Sequence, residues 1–286
     1  MEFKERFKEA WTSSSIRYIA TPSQRAKNIY YYIQEIGYFQ TLNNYYTERA
    51  GLNSYLLIYS KSGKGHLKYQ GKTYTIIPGD LIWIDCMEQH YYRTDEKELW
   101  EISWVHFNGS ATKGYYNQFR EQHGPVIHLD DSTQIPLWIN TMFQLHKEKN
   151  LQREVLCSNL LTNCLTEIMI KACTYGEYVD TPKIILSIQN YIDHHYTEKL
   201  SLDTLGKKFA LSKYHLARLY KKYTGFSPID YQISLRITTA KKMLQFTDLS
   251  VQSISYEVGI KNISHFITLF KEREEMTPLQ FRKKWK

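Results

Sequence analysis

Residues 201–231, SLDTLGKKFALSKYHLARLYKKYTGFSPIDY, and residues 250–281, SVQSISYEVGIKNISHFITLFKEREEMTPLQF, carry one pattern twice. After a one-residue insertion, Leu216 of the first copy aligns with Phe266 of the second. A solenoid needs at least about three stacked repeats, so two copies with a period of about fifty residues do not make one. The segment is therefore predicted to be a duplicated supersecondary unit.

Each copy has the pattern of a helix, a short turn and a second helix, over 201–223 and 250–273. In the first copy, Ser212 stands where an N-cap belongs, and Leu216 and Tyr220 begin an apolar stripe at helical spacing. Packing of the apolar stripes leaves the polar face of the second helix outward, with Lys213, Tyr214, Ala217, Arg218, Lys221 and Lys222. One helix braced by another, with its early residues exposed, is what a DNA-reading helix-turn-helix requires. The alternative is an amphipathic helical hairpin with a solvated polar face.

A long helix is predicted to join the two copies, with Ser227 as its cap, Pro228 in its first turn and its end near Phe246. About 18 residues at about 1.5 Å each give about 27 Å. Two reading heads at this spacing can address successive major grooves, which lie about 34 Å apart.

Positive charge is concentrated in the same region of the 286-residue chain. Residues 181–286 carry 18 Lys and Arg against 9 Asp and Glu, a net of +9, whereas residues 1–180 have a net of −1. The asymmetry indicates a polyanion-binding domain attached to one of a different kind. The sequence has no apolar run of about 18 residues and no secretory signal, so we expect a cytoplasmic protein without membrane contact.

Residues 181–286 resemble the AraC/XylS family of bacterial transcription regulators. The resemblance rests on ISYEVGI…F…FK…TP…F over 254–281 and L…F.LS…L.RLYKKYTG.SP..Y over 205–231. It implies binding to double-stranded DNA and contact with RNA polymerase. It also suggests activation of carbohydrate-utilisation genes, although a repressor would have the same sequence features. The residues that it places against DNA are Lys213, Tyr214, Ala217 and Arg218 in the first copy, and Ile263, Ser264, His265 and Thr268 in the second.

The second copy departs from the family pattern at three positions. Glu275 stands where the family usually has glycine, which the first copy keeps as Gly225. Glutamate there requires a backbone that avoids positive φ or accepts strain. Ile260 stands where an aromatic residue is common, and Thr268 where arginine is frequent. The second reading head is therefore expected to contribute more to positioning than to base specificity.

The front part of the chain is predicted to be a β-barrel or sandwich followed by helices. Six short β-rich runs separated by turn residues lie between Tyr55 and Phe107. Helical patterns follow at 137–150 and 153–173. Such helices can cover the flank of the barrel or pair with another subunit. The second pattern is apolar on more than one face, which favours burial against something besides its own barrel, and we expect a homodimer with its contact over 153–173. The predicted domains are 1–176 and 181–286, with a linker between them.

The barrel also resembles the cupin-like sensor module of the same family, and this resemblance implies a ligand pocket. The chemistry suits a saccharide effector, because aromatic faces stack on sugar C–H surfaces while Arg, His and Tyr supply hydrogen bonds. Alternatively, the aromatic residues only fill the barrel core. By motif position the lining residues are Arg49, placed just before the first barrel strand, with His90, Tyr92, Ile102, Trp104 and His106.

A catalytic barrel is disfavoured by the histidine pattern. Metal-dependent cupins resemble one another in a His-x-His pair, and here the run Gly65-His66-Leu67-Lys68 lacks the second histidine. His66, His90 and His106 fall on separate runs without metal-ligand spacing. We therefore expect no catalytic residues, no metal and no cofactor. The remaining alternatives are a cupin-type metalloenzyme fused to a DNA-binding module and a DNA-binding protein that responds to no ligand.

The predicted fold class is accordingly α+β. It comprises an N-terminal cupin-like β-barrel with two appended helices, and a C-terminal all-α domain with two helix-turn-helix units joined by a long helix. The function predicted from both parts is sequence-specific transcription regulation controlled by a small molecule that binds the barrel.

Overall fold

The computed structural model describes residues 3–121, 123–174 and 181–286, and the chain divides into two units, Met1–Glu177 and Tyr178–Lys286. Of the linker predicted over 175–181, residues 175–180 lie outside the described residues, and Thr181 is the first residue of a helix. The strands of the first unit are β1 (Lys4–Lys8), β2 (Ile16–Ile19), β3 (Tyr32–Gln40), β4 (Tyr46–Ala50), β5 (Tyr55–Ser62), β6 (Gly65–Tyr69), β7 (Lys72–Ile76), β8 (Asp80–Asp85), β9 (His90–Thr94), β10 (Glu101–Asn108) and β11 (Val126–His128). Its helices are α1 (Gln24–Ile29), α2 (Thr112–Arg120), α3 (Ile135–Lys147) and α4 (Arg153–Thr174).

The strands form two antiparallel sheets. One has the order β1-β4-β9-β6-β7 and the other the order β11-β8-β5-β10-β3-β2. Apolar side chains from both sheets fill the space between them, and a second core lies between the six-stranded sheet and helices α2, α3 and α4. Strand β10 serves both cores, because Trp104 belongs to the first and its neighbour Val105 to the second. The predicted β-barrel or sandwich followed by helices is confirmed, and its strands pair in the antiparallel sense.

The sequence analysis did not predict the four strands before Tyr55, and it therefore placed Arg49 wrongly. Arg49 does not precede the first strand, because it lies within β4. The inward positions of β4 are Thr47 and Arg49, and both are polar, so the strand has no apolar face in its sequence. Strand β1, an edge strand, has four exposed residues out of five. Neither strand therefore shows the hydrophobic alternation by which half-buried strands are recognised.

The second unit consists of helices in the predicted duplicated order. They are α5 (Thr181–His195), α6 (Leu202–Lys208), α7 (Lys213–Thr224), α8 (Pro228–Phe246), α9 (Val251–Glu257), α10 (Ile263–Glu274) and α11 (Pro278–Trp285). The predicted caps are present, since Ser212 and Ser227 accept hydrogen bonds from backbone N–H groups of the following first turns. Each helix-turn-helix copy has its own apolar core, and α8 contributes to both. Leu235 packs against the core of the first copy, and Ile237, Ala240 and Leu244 are buried in the core of the second.

The two copies use left-handed backbone at matching positions, with glycine at one position in each copy. In the turn between the paired helices, Ala210 has φ 54° and Gly259 has φ 77°. After the second helix, Gly225 has φ 77° and Glu275 has φ 60°. The question raised at Glu275 is thereby answered: its backbone keeps positive φ and accepts the strain, which costs about 1–2 kcal/mol for a residue with a Cβ.

Replacing Glu275 by glycine is expected to raise the free energy of unfolding by about 1 kcal/mol, because the side chain is exposed and the strain is relieved. Chemical denaturation of the full chain measures the change. The matched control is Gly225→Ala, which has open space around the new Cβ and should lose about 1 kcal/mol through backbone strain alone. An unchanged or lowered denaturation midpoint for Glu275→Gly contradicts the prediction.

Candidate nucleic-acid interface and ligand cavity

Helix α7 presents a polar face that its buried face holds in place. Leu216 and Tyr220 are fully buried, whereas Tyr214 is 80% exposed and Arg218 is exposed on the same helix. Lys213 pairs with Asp203 of α6 at 3.2 Å (Nζ to Oδ1). Ala217 is half-buried, and Lys222 is exposed. The predicted first set of DNA-reading residues therefore lies on one accessible stretch of α7.

Helix α10 presents the second predicted set, and its surface chemistry differs. Ile263, Ser264, His265 and Thr268 are all exposed. The hydroxyl of Thr268 donates to the Ser264 carbonyl oxygen at 3.0 Å, so it is engaged by its own helix. This face carries no cation equivalent to Arg218, which agrees with a positioning role.

The sequence analysis did not include His215 among the exposed residues at the start of α7. Its backbone N–H donates to the cap Ser212, as that of His265 donates to the cap Asn262. Each histidine is the third residue of its helix, and both side chains are exposed. The alignment of the two copies, which pairs His215 with His265, was the signal that could have identified it.

Polar contacts hold the ends of α8 to the segments around it. Gln232 and Arg236 of α8 donate to the carbonyl oxygens of Tyr196 and Glu198, at distances between 2.6 and 2.8 Å. In the second copy, Arg282 of α11 donates in the same way to the carbonyls of Leu244 and Leu249.

Two further contacts join the copies to each other. Arg273 of α10 pairs with Asp230 at the start of α8, with Nη2 to Oδ1 at 3.1 Å. A Cβ on Gly259 would lie 2.0 Å from the Thr197 carbonyl oxygen, so glycine is required there by close approach as well as by its φ. The second turn thus packs directly on the loop that precedes α6.

The barrel contains a small cavity between its two sheets. Its volume is about 30 Å³, and aromatic rings and four charged side chains line it: Glu5, Phe7, Trp11, Arg17, Glu35, Phe39, Tyr45, Thr47, Arg49, Tyr92, Trp104 and His106. Four of the predicted ligand residues, namely Arg49, Tyr92, Trp104 and His106, are therefore brought together. Ile102 and His90 are buried next to them but do not line the cavity.

Arg49 is the charged centre of this cavity. Its Nε donates to Glu5 Oε1 at 3.0 Å, its Nη2 contacts the same oxygen, and its Nη1 contacts His106 Nε2 at 2.8 Å. Arginine can only donate, so His106 Nε2 accepts and the His106 proton lies on Nδ1, which faces Ser54 Oγ at 3.1 Å. Burial, followed by the charge of Arg49, lowers the pKa of His106 well below its ordinary value and keeps the imidazole neutral.

The remaining histidines do not form a metal site. His66 pairs with Asp95 at 2.7 Å (Nε2 to Oδ2), and His90 Nδ1 is bonded to the Glu88 carbonyl at 2.9 Å. Burial lowers the pKa of His90 to about 4. Among the residues that the structure describes, no three His, Cys, Asp or Glu side chains cluster as metal ligands do. Over the same residues, no helix combines the length and apolar character needed to cross a membrane.

Comparison with known proteins gives matches for both units. A family model described as "Helix-turn-helix domain" matches residues 205–284, and one described as "AraC-like ligand binding domain" matches residues 32–165. The chain is 23% identical over 258 residues to the MmsAB operon regulatory protein of Pseudomonas aeruginosa, which spans 88% of this chain and 83% of that protein.

Two further relatives are transcription activators. The chain is 26% identical over 235 residues to the HTH-type transcriptional activator RhaS of Enterobacter sp. (strain 638), covering 79% of this chain and 84% of that one. It is 25% identical over 224 residues to the lactose operon transcription activator of Staphylococcus xylosus, covering 77% and 80%.

Replacing Arg218 by alanine is expected to weaken binding to the preferred DNA site by about 1–3 kcal/mol and to relax the preference at one base pair. Electrophoretic mobility shifts with single-base variants of a site selected from random DNA measure both effects. Thr268→Ala is the matched control and should cost less, because that hydroxyl is already bonded to the Ser264 carbonyl. Equal specificity profiles for wild type and Arg218→Ala contradict the assignment.

Proposed function

We propose that the chain, which belongs to the AraC family of transcriptional regulators, controls carbohydrate-utilisation genes in response to a saccharide bound in its barrel. As a member of that family with a ligand-binding and a helix-turn-helix domain, the protein is a DNA-binding transcription regulator and not an enzyme. The finer parts of the proposal are its DNA-reading residues, its effector, its assembly and its targets.

The observation that carries the DNA-binding assignment is the pair of exposed helix faces on one rigid, positively charged unit. Arg218 and Lys222 on α7 supply charge for phosphates and guanine edges, and Tyr214 supplies an aromatic contact. On α10, Ser264 and His265 can form hydrogen bonds with DNA, but they carry less positive charge than Arg218 and Lys222. We therefore assign base readout mainly to α7, and orientation on the duplex mainly to α10.

A saccharide effector is supported by the chemistry of the cavity and by relatives. The aromatic rings of the cavity can stack on sugar C–H surfaces, and the arginine and histidine beside them can supply hydrogen bonds. One relative is named as a lactose operon transcription activator. Two relatives are named as activators, so we infer that this protein also activates transcription. Activation involves contact with RNA polymerase. We place this activity in the cytoplasm, where the DNA lies.

Helix α4 is proposed as the homodimer contact, over the predicted segment 153–173. One face of α4 is buried against its own sheet through Cys157, Leu161 and Cys164. Val155 and Leu156 lie exposed near the start of the same helix. A second copy of the chain can cover these side chains; light scattering that finds a monomer at micromolar concentration contradicts this assignment.

The effector assignment is tested by a thermal-shift panel of mono- to trisaccharides. At least one saccharide is expected to raise the melting temperature of the wild type, and Trp104→Ala should abolish the shift because it removes an aromatic face of the cavity. Leu151→Ala, at a side chain 99% exposed outside the cavity, is the control and should respond as the wild type does. A panel without any wild-type shift favours a regulator that responds to no saccharide.

A further inference from the structure

The cavity cannot hold a saccharide in the arrangement described. A volume of about 30 Å³ leaves room for only about two water molecules, since each needs about 10–15 Å³ of such space. A monosaccharide has about twelve non-hydrogen atoms and needs several times that space. Binding of the proposed effector therefore requires that part of the cavity wall move.

Strand β1 is a part of the wall that only one neighbouring strand holds. It is an edge strand that pairs only with β4, and Glu5 is its one residue that is not exposed. Glu5 is 23% exposed at its side chain, whereas its partner Arg49 is 7% exposed. Displacing β1 exposes little apolar surface, but it removes the carboxylate from Arg49.

The charge balance of the cavity then changes. With β1 in place, Arg17 pairs with Glu35 at 2.7 Å and Arg49 pairs with Glu5, so two cations meet two anions. Without Glu5 the cavity has one uncompensated positive charge on Arg49. An unpaired buried charge is strongly unfavourable, and the neighbouring His106 cannot offset it, because an imidazole is either neutral or positively charged. A neutral sugar leaves this charge unpaired, whereas an anionic one replaces the lost carboxylate.

A second observation points to an acceptor on the ligand. Trp104 lines the cavity and is only 6% exposed. Its Nε1–H has no hydrogen-bond partner among the described residues. An indole N–H can only donate. Two donors, the Arg49 guanidinium and the Trp104 indole, therefore border one small cavity and both suit oxygen atoms of a carboxylate.

We propose that the effector is an acidic saccharide, whose carboxylate binds Arg49 in the position that Glu5 occupies in its absence. The inference rests on the proposed saccharide function and names the class of sugar. Glu5 is then an internal competitor, and the apparent affinity for the ligand is reduced by the fraction of molecules in which Glu5 holds Arg49.

Matched sugar pairs test the proposal by calorimetry on the full chain at constant ionic strength. D-glucuronate and D-galacturonate are compared with D-glucose and D-galactose, and acetate serves as a carboxylate without a sugar ring. At least one uronate is expected to bind at least about tenfold more tightly than its neutral partner and than acetate, as the loss of a charge-assisted pair implies. This comparison uses the wild type and needs no variant.

The variant Glu5→Gln adds a direct test of competition. It should bind the uronate about tenfold more tightly than wild type, because Arg49 loses its internal carboxylate. Glu48→Gln is the matched control on the opposite face of β4, where the carboxylate faces Gln89 (Nε2 to Oε1, 3.2 Å), and it should bind as the wild type does. Unchanged or weaker uronate binding by Glu5→Gln contradicts the competition.

The possible failures can be told apart. A neutral sugar that binds as tightly as its uronate overturns the acidic class and leaves the saccharide function in place. Acetate that binds as tightly as the uronates overturns the saccharide function, because the ring then contributes nothing. No binding by any of these compounds, together with an empty saccharide panel, overturns both.

Discussion

The DNA-binding unit depends on one helix that belongs to two cores. Leu235 of α8 packs against the core of the first helix-turn-helix, and Ile237 and Leu244 are buried in the core of the second. A helix of 19 residues, about 28 Å at 1.5 Å per residue, therefore sets the distance between α7 and α10. The ion pair between Arg273 and Asp230 adds to this constraint. Neither helix pair can shift along the other without disturbing a packed core, so the two exposed faces behave as one surface.

This unit could be predicted well from the sequence because the features that form its helices are local along the chain. Caps such as Ser212 and Ser227, and apolar residues at helical spacing, lie within a few residues of the structure that they determine. The strain at Glu275 was also visible as a departure from Gly225. What the sequence could not reveal is the contact between Gly259 and Thr197, since it joins residues that are distant along the chain.

The barrel was predicted less completely because its site is built from distant and irregular pieces. Arg49 and His106 are 57 positions apart, and they meet only because β4 and β10 face each other across the two sheets. Glu5 belongs to a short charged strand without apolar alternation, so nothing in its surroundings marked it as part of the cavity. The aromatic residues of the cavity were easier to predict, because Tyr92 and Trp104 lie at inward positions of β-rich runs.

Both units thus combine a rigid framework with a few exposed or unsatisfied polar groups, and those groups carry the proposed functions.

The central claim, that one chain reads two grooves at a fixed spacing, is tested most directly by changing that spacing in the DNA. Hydroxyl-radical footprinting on a site selected from random DNA should show two protected grooves on one face, about 10 base pairs apart, for each subunit. Inserting 10 base pairs between them keeps the face but adds about 34 Å, which α8 cannot span. The account predicts loss of protection at one of the two grooves. Full protection of both grooves with unchanged affinity after this insertion would contradict it.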